Sequence, residues 1–144
     1  GFVDAEGAAR RAGILARLTA LGARLVTLAH PTAVISPSAT LGAGSFLAAG
    51  AILGTRSSLG IGSILNTGAI VDHDVQVGPN THIATGATLA GGITVGRDVL
   101  IGAGAVLRQG LTVGDRAVVG AGSVVLRPVA ANKTVVGNPA KERT

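Results

Sequence analysis

Residues 65–112 read LNTGAI VDHDVQ VGPNTH IATGAT LAGGIT VGRDVL IGAGAV LRQGLT, and the first letter of every group of six is Leu, Val or Ile. The same phase runs from Ile35 to Val125 without an exception in sixteen repeats. The fifth position is also restricted, because it holds only small or aliphatic side chains from Ala39 to Val129. Hexapeptide periodicity of this kind is typical of a parallel β-helix.

The period has a simple steric basis. Side chains alternate between the two faces of a strand, so the fifth position of one repeat and the first position of the next point to the same side. Glycines concentrate at the second and fourth positions, where they allow tight turns. We therefore predict an all-β fold: a single-stranded parallel β-helix over residues 31–130, with three hexapeptides in each triangular coil and about five coils.

Composition narrows the classes of protein. The chain has 144 residues, enough for one domain, and only two of them are aromatic. It has no cysteine, so we expect no disulfide and no thiolate metal site, which fits a cytoplasmic protein. No signal peptide and no apolar run of membrane-spanning length are visible, so we expect no membrane partner.

The net charge of +5 is the feature that suggests a partner. Nucleic acid is not expected, because stacking aromatic residues are missing and the basic residues are scattered. Basic residues outnumber acidic ones by six to two between Leu107 and Thr144. This excess fits either a small phosphate-bearing ligand near the last coils or a solvated face that aids solubility.

The two ends of the chain lie outside the regular repeat. Residues 1–30 predict a helix from Gly1 to Leu21, followed by a strand from Arg24 to Leu28. Asp4 is the expected N-cap and Gly22 the expected C′ glycine of this helix. Its expected apolar stripe consists of Ile14, Leu15, Leu18 and Leu21. Residues 131–144 form a C-terminal tail.

The segment Val71-Asp72-His73-Asp74 is the clearest polar departure from the repeat. His73 occupies the third position of its hexapeptide, a corner that cannot face the core. The two flanking aspartates favour an imidazolium and can fix the tautomer of the ring. His73 is therefore either a catalytic base or an exposed histidine without a role.

Gly91 follows His73 by eighteen residues, so one full coil separates them and the two should stack directly. It is the only glycine of the repeat outside the second and fourth positions. A missing side chain there would let a substrate approach the backbone, and the Gly91 N–H is a candidate oxyanion donor. The alternative is that Gly91 and Gly92 form a loose turn.

His82 is the other outward-facing histidine of the repeat, whereas His30 is expected to be a junction residue. His82 lies nine residues from His73, so half a coil separates the two rings and they could meet only across an interface. Closed threefold association would bring a side of one chain against a corner of the next and create three equivalent clefts. We therefore expect a homotrimer with its sites between chains.

Several motifs together resemble one family. These are Asn66-Thr67-Gly68-Ala69-Ile70-Val71-Asp72-His73-Asp74, then Gly78, His82 and Gly86, and finally Val136-Gly137-Asn138-Pro139-Ala140-Lys141. They resemble the hexapeptide-repeat sugar acetyltransferases of the NeuD type, which include sialic acid O-acetyltransferases and nucleotide-amino-sugar N-acetyltransferases. The resemblance covers nearly all of residues 24–141 and implies a left-handed helix.

The resemblance also implies a set of roles. An acetyl group of acetyl-CoA would pass to an amine or hydroxyl of a sugar nucleotide, without a metal. His73 matches the general base and Asp74 its acidic partner, which is often glutamate in relatives. Asn66 matches a substrate-binding position. The positions that match the acetyl-CoA site are His82, Ala103, Ala121, Asn138 and Lys141.

The helix and strand of residues 1–30 resemble the end of a small nucleotide-sugar-binding lobe. The first strands of that lobe and its glycine-rich turn are missing from this sequence. We therefore expect either a truncated protein or a substrate that is held in another way.

Two readings from other classes remain open. A γ-type carbonic anhydrase shares the β-helix, but it needs three histidine ligands for zinc, and the repeat supplies two. A non-catalytic scaffold would show ladders of identical outward residues, whereas the outward positions here are heterogeneous. Acyl transfer needs only a base and an oxyanion donor, which this chain has.

Overall fold

The computed structural model describes residues 5–143, which form one helix and a series of very short strands. The helix, α1, spans Ala5–Ala20. The strands are β1 Leu28–Ala29, β2 Val34–Ile35, β3 Thr40–Leu41, β4 Phe46–Leu47, β5 Ile52–Leu53, β6 Ser58–Leu59, β7 Ile64–Leu65, β8 Ile70–Val71, β9 Gln76–Val77, β10 His82–Ile83, β11 Thr88–Leu89, β12 Thr94–Val95, β13 Leu100–Ile101, β14 Val106–Leu107, β15 Thr112–Val113, β16 Val118–Val119, β17 Val124–Val125, β18 Thr134–Gly137 and β19 Ala140–Glu142.

Every third strand stacks in register, so the chain winds into a three-sided prism. Side 1 consists of β1, β4, β7, β10, β13, β16, β18 and β19; side 2 of β2, β5, β8, β11, β14 and β17; side 3 of β3, β6, β9, β12 and β15. Up to β17, neighbouring strands of each side are parallel and eighteen residues apart, as Val71 and Leu89 are on side 2. The predicted parallel β-helix is confirmed.

The second residue of each two-residue strand points into the prism. These residues and the small fifth-position residues form one continuous core, and Leu65, Ile83 and Leu89 are completely buried. Some fifth-position residues bury a hydroxyl as well. The Ser63 hydroxyl donates to the carbonyl of Gly78 at 2.8 Å and accepts the N–H of Thr81 at 3.0 Å, so its burial leaves no polar atom unpaired.

The prism extends further at both ends than the strict repeat indicates. The first strand lies at Leu28–Ala29, not at the predicted Arg24–Leu28, and it pairs with Phe46–Leu47 as the first rung of side 1. At the other end the register shortens, because Val119 pairs with Val135, sixteen residues later. Side 1 therefore carries seven parallel strands, and the solenoid has about six coils instead of five.

The helix ends as predicted but packs through a different face. Gly22 has φ +77°, and the N–H of Ala23 donates to the carbonyl of Leu18, which is the C-terminal motif expected of a C′ glycine. The predicted stripe is wrong: Ile14, Leu18 and Leu21 are exposed, and only Leu15 packs, against Gly62. The predicted N-cap, Asp4, lies outside the described residues.

One arginine and one backbone carbonyl attach α1 to the prism. Asn80 Nδ2 donates to the Ala8 carbonyl at 2.9 Å, and Ala8 and Ala12 line a cavity together with Leu100 and Val118 of side 1. Arg11 donates from Nε to Oδ1 of Asn80 at 2.8 Å and from Nη2 to the Asn80 carbonyl at 2.6 Å. Helix α1 therefore lies beside side 1, at the corner where side 3 leads into side 1. No helix of the described residues is long and apolar enough to cross a membrane.

The outward faces of sides 2 and 3 differ sharply. On side 3 the outward residues are all polar: Thr40, Ser58, Gln76, Thr94 and Thr112. On side 2 they form a ladder that is apolar apart from one threonine: Val34, Ile52, Ile70, Thr88, Val106 and Val124. We call this set the side 2 ladder.

Candidate active site

The corner that leads from side 2 to side 3 carries the predicted catalytic segment. Asp72, His73 and Asp74 follow β8 directly, and Asp74 adopts the left-handed conformation with φ 58°, which aspartate tolerates better than most residues. The Asp72 carboxylate accepts the backbone N–H of His73 at 2.7 Å. From inside the prism, the Ser57 hydroxyl donates to the Asp72 carbonyl at 2.5 Å. The corner is thus fixed from both sides.

His73 points outward with a defined tautomer. Its side chain is 57% exposed, and Nδ1 lies 2.8 Å from Oδ2 of Asp74. An ionised carboxylate can only accept a hydrogen bond, so Nδ1 carries the hydrogen and Nε2 of the neutral ring is left as an acceptor. This is the form that a general base requires.

Asp74 is held by a residue that the sequence analysis missed. Arg56 donates from Nε to Oδ1 of Asp74 at 2.7 Å and from Nη2 to Oδ2 at 2.8 Å. The Arg56 guanidinium, and after it the His73 ring, lower the pKa of Asp74 from 3.8 to about 2. The signal was available, because Arg56 precedes Asp74 by the eighteen residues of one coil.

Gly91 stacks on His73 as predicted, and the ring itself occupies the space. A β-carbon at Gly91 would lie 2.5 Å from both Cε1 and Nε2 of His73. A shallow depression is lined by His73 and Gly91 together with Gly92, Gln109 and Gly110. Within the described residues no acceptor lies within hydrogen-bonding distance of the Gly91 N–H, whereas the neighbouring Gly92 N–H donates to the His73 carbonyl at 2.9 Å.

Asn66 and His82 meet at another corner, where side 1 leads into side 2. Asn66 Nδ2 lies 3.2 Å from His82 Nε2. His82 does face outward from the prism, because Ile83 beside it faces inward. It is nevertheless buried, with only 7% of its surface exposed. The predicted outward direction of His82 agrees with the structure, but the repeat pattern carries no information about what covers a face.

The predicted coenzyme positions continue along this same corner. Ala103 and Ala121 are exposed and occupy later coils, and the Gly122 N–H donates to the Ala103 carbonyl at 2.8 Å. Asn138 and Lys141 belong to the hairpin of β18 and β19, where Val136 pairs with Lys141. The tail is therefore an ordered part of side 1.

The predicted site residues thus fall into two groups on one chain. His73, Asp74 and Gly91 lie at one edge of side 2, and Asn66, Ala103 and Ala121 lie at its other edge. His30 belongs to neither group, because its Nδ1 lies 2.9 Å from the Thr32 hydroxyl at the start of the prism. Among residues 5–143 no three His, Asp or Glu side chains come together as a potential metal site.

A hexapeptide prism with a histidine–aspartate pair at a corner defines the class of hexapeptide-repeat transferases. The family model "Bacterial transferase hexapeptide (six repeats)" matches residues 92–127, and the chain belongs to this family. No match is found among curated protein sequences.

Three solved structures show which members of the class the chain is similar to. The acetyltransferase domain of PglB from Neisseria gonorrhoeae FA1090, in complex with acetyl coenzyme A, is 42% identical with a TM-score of 0.93 over 94% of this chain and 66% of that chain. A variant of perosamine N-acetyltransferase from Caulobacter crescentus, with CoA and GDP-perosamine, is 37% identical with a TM-score of 0.94 over 95% and 65%. WeeI from Acinetobacter baumannii AYE is 31% identical with a TM-score of 0.91 over 94% and 66%. The chain thus spans just under two thirds of the length of each.

Proposed function

We propose that this chain is the β-helix part of an acetyltransferase that moves the acetyl group of acetyl-CoA to an amine or hydroxyl of a nucleotide-linked sugar. The observation that carries the proposal is the pairing of His73 Nδ1 with Asp74, which leaves Nε2 as a free acceptor above Gly91. The similarity to acetyltransferases that bind acetyl coenzyme A or CoA supports the choice of coenzyme.

The chemistry needs one base and one oxyanion donor. His73 Nε2 takes the proton of the sugar amine or hydroxyl as its nitrogen or oxygen attacks the thioester carbonyl. The new C–N or C–O bond forms and the carbonyl oxygen becomes an oxyanion. Collapse of this intermediate breaks the C–S bond, and the proton held by His73 passes to the sulfur, so that CoA leaves as the thiol. The Gly91 N–H, which has no acceptor among the described residues, is the proposed donor to that oxyanion. No metal takes part.

The second group of residues is suited to binding acetyl-CoA. Asn66, Ala103 and Ala121 line one exposed corner, and small side chains there leave the backbone open to the pantetheine arm. Asn138 and Lys141 lie beyond them at the end of the prism, where the positive charge of Lys141 suits the coenzyme's phosphates. His82 is buried, so we propose that it acts through its contact with Asn66.

Threefold association would bring the two groups together. The side 2 ladder is mostly apolar and exposed to solvent, with Val34 60%, Ile70 37% and Val106 44% exposed. We therefore propose this face as the subunit interface. If three copies turn this face toward a common axis, one edge of side 2 in each copy meets the opposite edge in the next. Each of the three clefts then contains His73 of one copy and Asn66 of its neighbour.

GDP-perosamine in the Caulobacter relative suggests the class of acceptor, a nucleotide-linked amino sugar. The relatives favour acyl transfer over the carbonic anhydrase and scaffold alternatives. The test therefore uses a panel of acceptors that differ in their nucleotide and their sugar.

The decisive experiment measures thiol release from acetyl-CoA with a panel of amino- and hydroxy-sugar nucleotides, including GDP-perosamine. The wild-type chain should release CoA with at least one acceptor. His73→Ala should lose turnover by about 100-fold or more while binding of CoA, measured by calorimetry, persists. Unchanged turnover in His73→Ala would remove His73 from the mechanism.

A further inference from the structure

Arg56 and Asp74 occupy equivalent positions in successive coils. Leu53 pairs with Val71, so the turn after β5 lies directly against the turn after β8. Both residues adopt the left-handed conformation, with φ 55° and 58°, and the Asp74 N–H donates to the Thr55 carbonyl at 2.9 Å. The stacking of the coils itself therefore sets the distance between the two side chains.

The ion pair uses both oxygens of the carboxylate. Nε of Arg56 binds Oδ1, and Nη2 binds Oδ2, the same oxygen that accepts the hydrogen of His73 Nδ1. A two-point contact of this kind fixes the plane of a carboxylate, which a single contact does not. Arg56 therefore determines the direction in which Oδ2 faces the histidine ring.

Arg56 is itself anchored to its neighbours. Its N–H donates to the Ser38 hydroxyl at 3.1 Å, and its carbonyl accepts Nε2 of Gln76 at 3.2 Å. Gln76 in turn accepts the Ser58 hydroxyl at 2.5 Å. The guanidinium thus projects from a backbone that is tied to the coil on either side.

Stability alone does not account for this arrangement. The Arg56 and Asp74 side chains are 65% and 39% exposed, and exposed ion pairs contribute little to the free energy of folding. The pair instead restrains the carboxylate that contacts the ring of the candidate base.

We propose that Arg56 is a positioning residue for acyl transfer: by holding Asp74 in a two-point contact, it keeps His73 in the tautomer whose Nε2 can accept a proton. This inference rests on the proposed function of His73. Arg56 does not contact the reacting atoms. It acts through Asp74, whose Oδ2 contacts both the Arg56 guanidinium and the His73 ring.

The test compares Arg56→Gln with Arg97→Gln in the 144-residue chain. Arg97 is a matched control because it is 61% exposed and also pairs with an aspartate, Asp98, at 3.2 Å, but at the corner between sides 3 and 1. Two properties are measured: the ¹⁵N chemical shifts of the histidine ring nitrogens, with His73 assigned through His73→Gln, and thiol release from acetyl-CoA with GDP-perosamine or the acceptor that the panel identifies.

In the wild-type chain and in Arg97→Gln, His73 should show a protonated Nδ1 and an unprotonated Nε2. In Arg56→Gln the ring should become a mixture of both tautomers. Its kcat should fall about tenfold, while the KM for acetyl-CoA changes less than about twofold. Arg56→Lys keeps the charge but lacks the planar fork, so its kcat should lie between those of the wild-type chain and Arg56→Gln.

The two proposals can fail separately. If His73→Ala is inactive but Arg56→Gln matches Arg97→Gln in both ring shifts and kcat, the positioning role is wrong and the proposed base stands. If His73→Ala keeps full turnover, the proposed mechanism is wrong and the role of Arg56 falls with it. Should Arg56→Gln fold poorly, the ring shifts and kcat of Arg56→Lys decide the matter, and wild-type values there would overturn the inference.

Discussion

The imidazole of His73 lies against the Cα of Gly91, one coil further along the chain, so closely that a β-carbon at Gly91 would come within 2.5 Å of two ring atoms. The His73 ring can therefore occupy this position only if residue 91 is glycine. The ring and the depression beside it, which Gln109 also lines, exist together only because position 91 has no side chain.

Gly91→Ala should displace the His73 ring and reduce acetyl transfer. The clash is with an exposed side chain, which can rotate away, so the protein should remain folded and the loss should appear mainly in kcat, by about tenfold or more. Thermal unfolding and kcat would be measured together. Gly22→Ala is the control, because its positive φ of 77° makes alanine unfavourable by about 1 kcal/mol, but it lies at the C-terminal end of α1, outside the candidate site. Equal kcat values in the two variants would contradict the steric role.

The low pKa of Asp74 makes the free energy of unfolding depend on pH. Its pKa of about 2 lies below its ordinary value of 3.8, so its interactions stabilise the fold fully above about pH 4 and are lost as the pH falls toward 2. Urea unfolding of the wild-type chain and of Asp74→Asn should therefore differ by a constant amount near neutral pH. The difference should shrink between pH 4 and pH 2. Asparagine tolerates the left-handed backbone, so the substitution adds no strain. A difference that grows on acidification would contradict the assignment.

Two buried serines on side 1 make a matched pair. The Ser63 hydroxyl donates to Gly78 and accepts from Thr81, whereas no hydrogen-bond partner of the equally buried Ser45 hydroxyl lies within the described residues. Ser63→Ala should lower the free energy of unfolding by about 1–3 kcal/mol, because it leaves two buried backbone groups unpaired. Ser45→Ala should be neutral or slightly stabilising. Urea denaturation compares them, and equal losses would show that the two hydroxyls have equivalent surroundings.

The side 2 ladder predicts that a charged substitution on this face changes the oligomeric state of the protein. Ile70→Glu would place a carboxylate at the centre of the proposed threefold contact, and it should convert a trimer into monomers with loss of acetyl transfer. Thr112→Glu places the same charge on the outward face of side 3 and should leave the assembly intact. Sedimentation equilibrium distinguishes three chains from one. A trimeric, active Ile70→Glu would place the contact elsewhere.

The regular part of the fold was predictable, because the six-residue period indicates both where each strand lies and which of its side chains point into the core. Every core position named by the repeat, from Leu47 to Val125, is the inward residue of a short strand. The ends of the prism were not predictable from the repeat. The first strand, Leu28–Ala29, has two exposed residues and so carries no core signal, and the coil after Val125 is shortened, so that Val129 bridges to Val113.

The residues of the candidate site were predictable from the sequence, but the contacts between them were less so. The spacing of eighteen placed Gly91 on His73, and the same spacing would have placed Arg56 on Asp74 had it been applied in the other direction. The burial of His82 could not be read from the repeat, because it depends on contacts outside the regular pattern. The exposed stripe of α1 was equally unpredictable, because the hydrogen bonds of Arg11 and of the Ala8 carbonyl with Asn80 set which face of the helix meets the prism.

The antiparallel return of β19 along β18 has a consequence for the protein in solution. A stack of parallel rungs ends in unsatisfied backbone groups that could add another molecule, as growing fibres do. On side 1 that terminus is occupied by β19, which presents Lys141 and Glu142 as paired partners of Val136 and Val135. The hairpin therefore replaces the open edge of β18 with a short strand that carries two charged residues, which disfavours end-to-end polymerisation on this side.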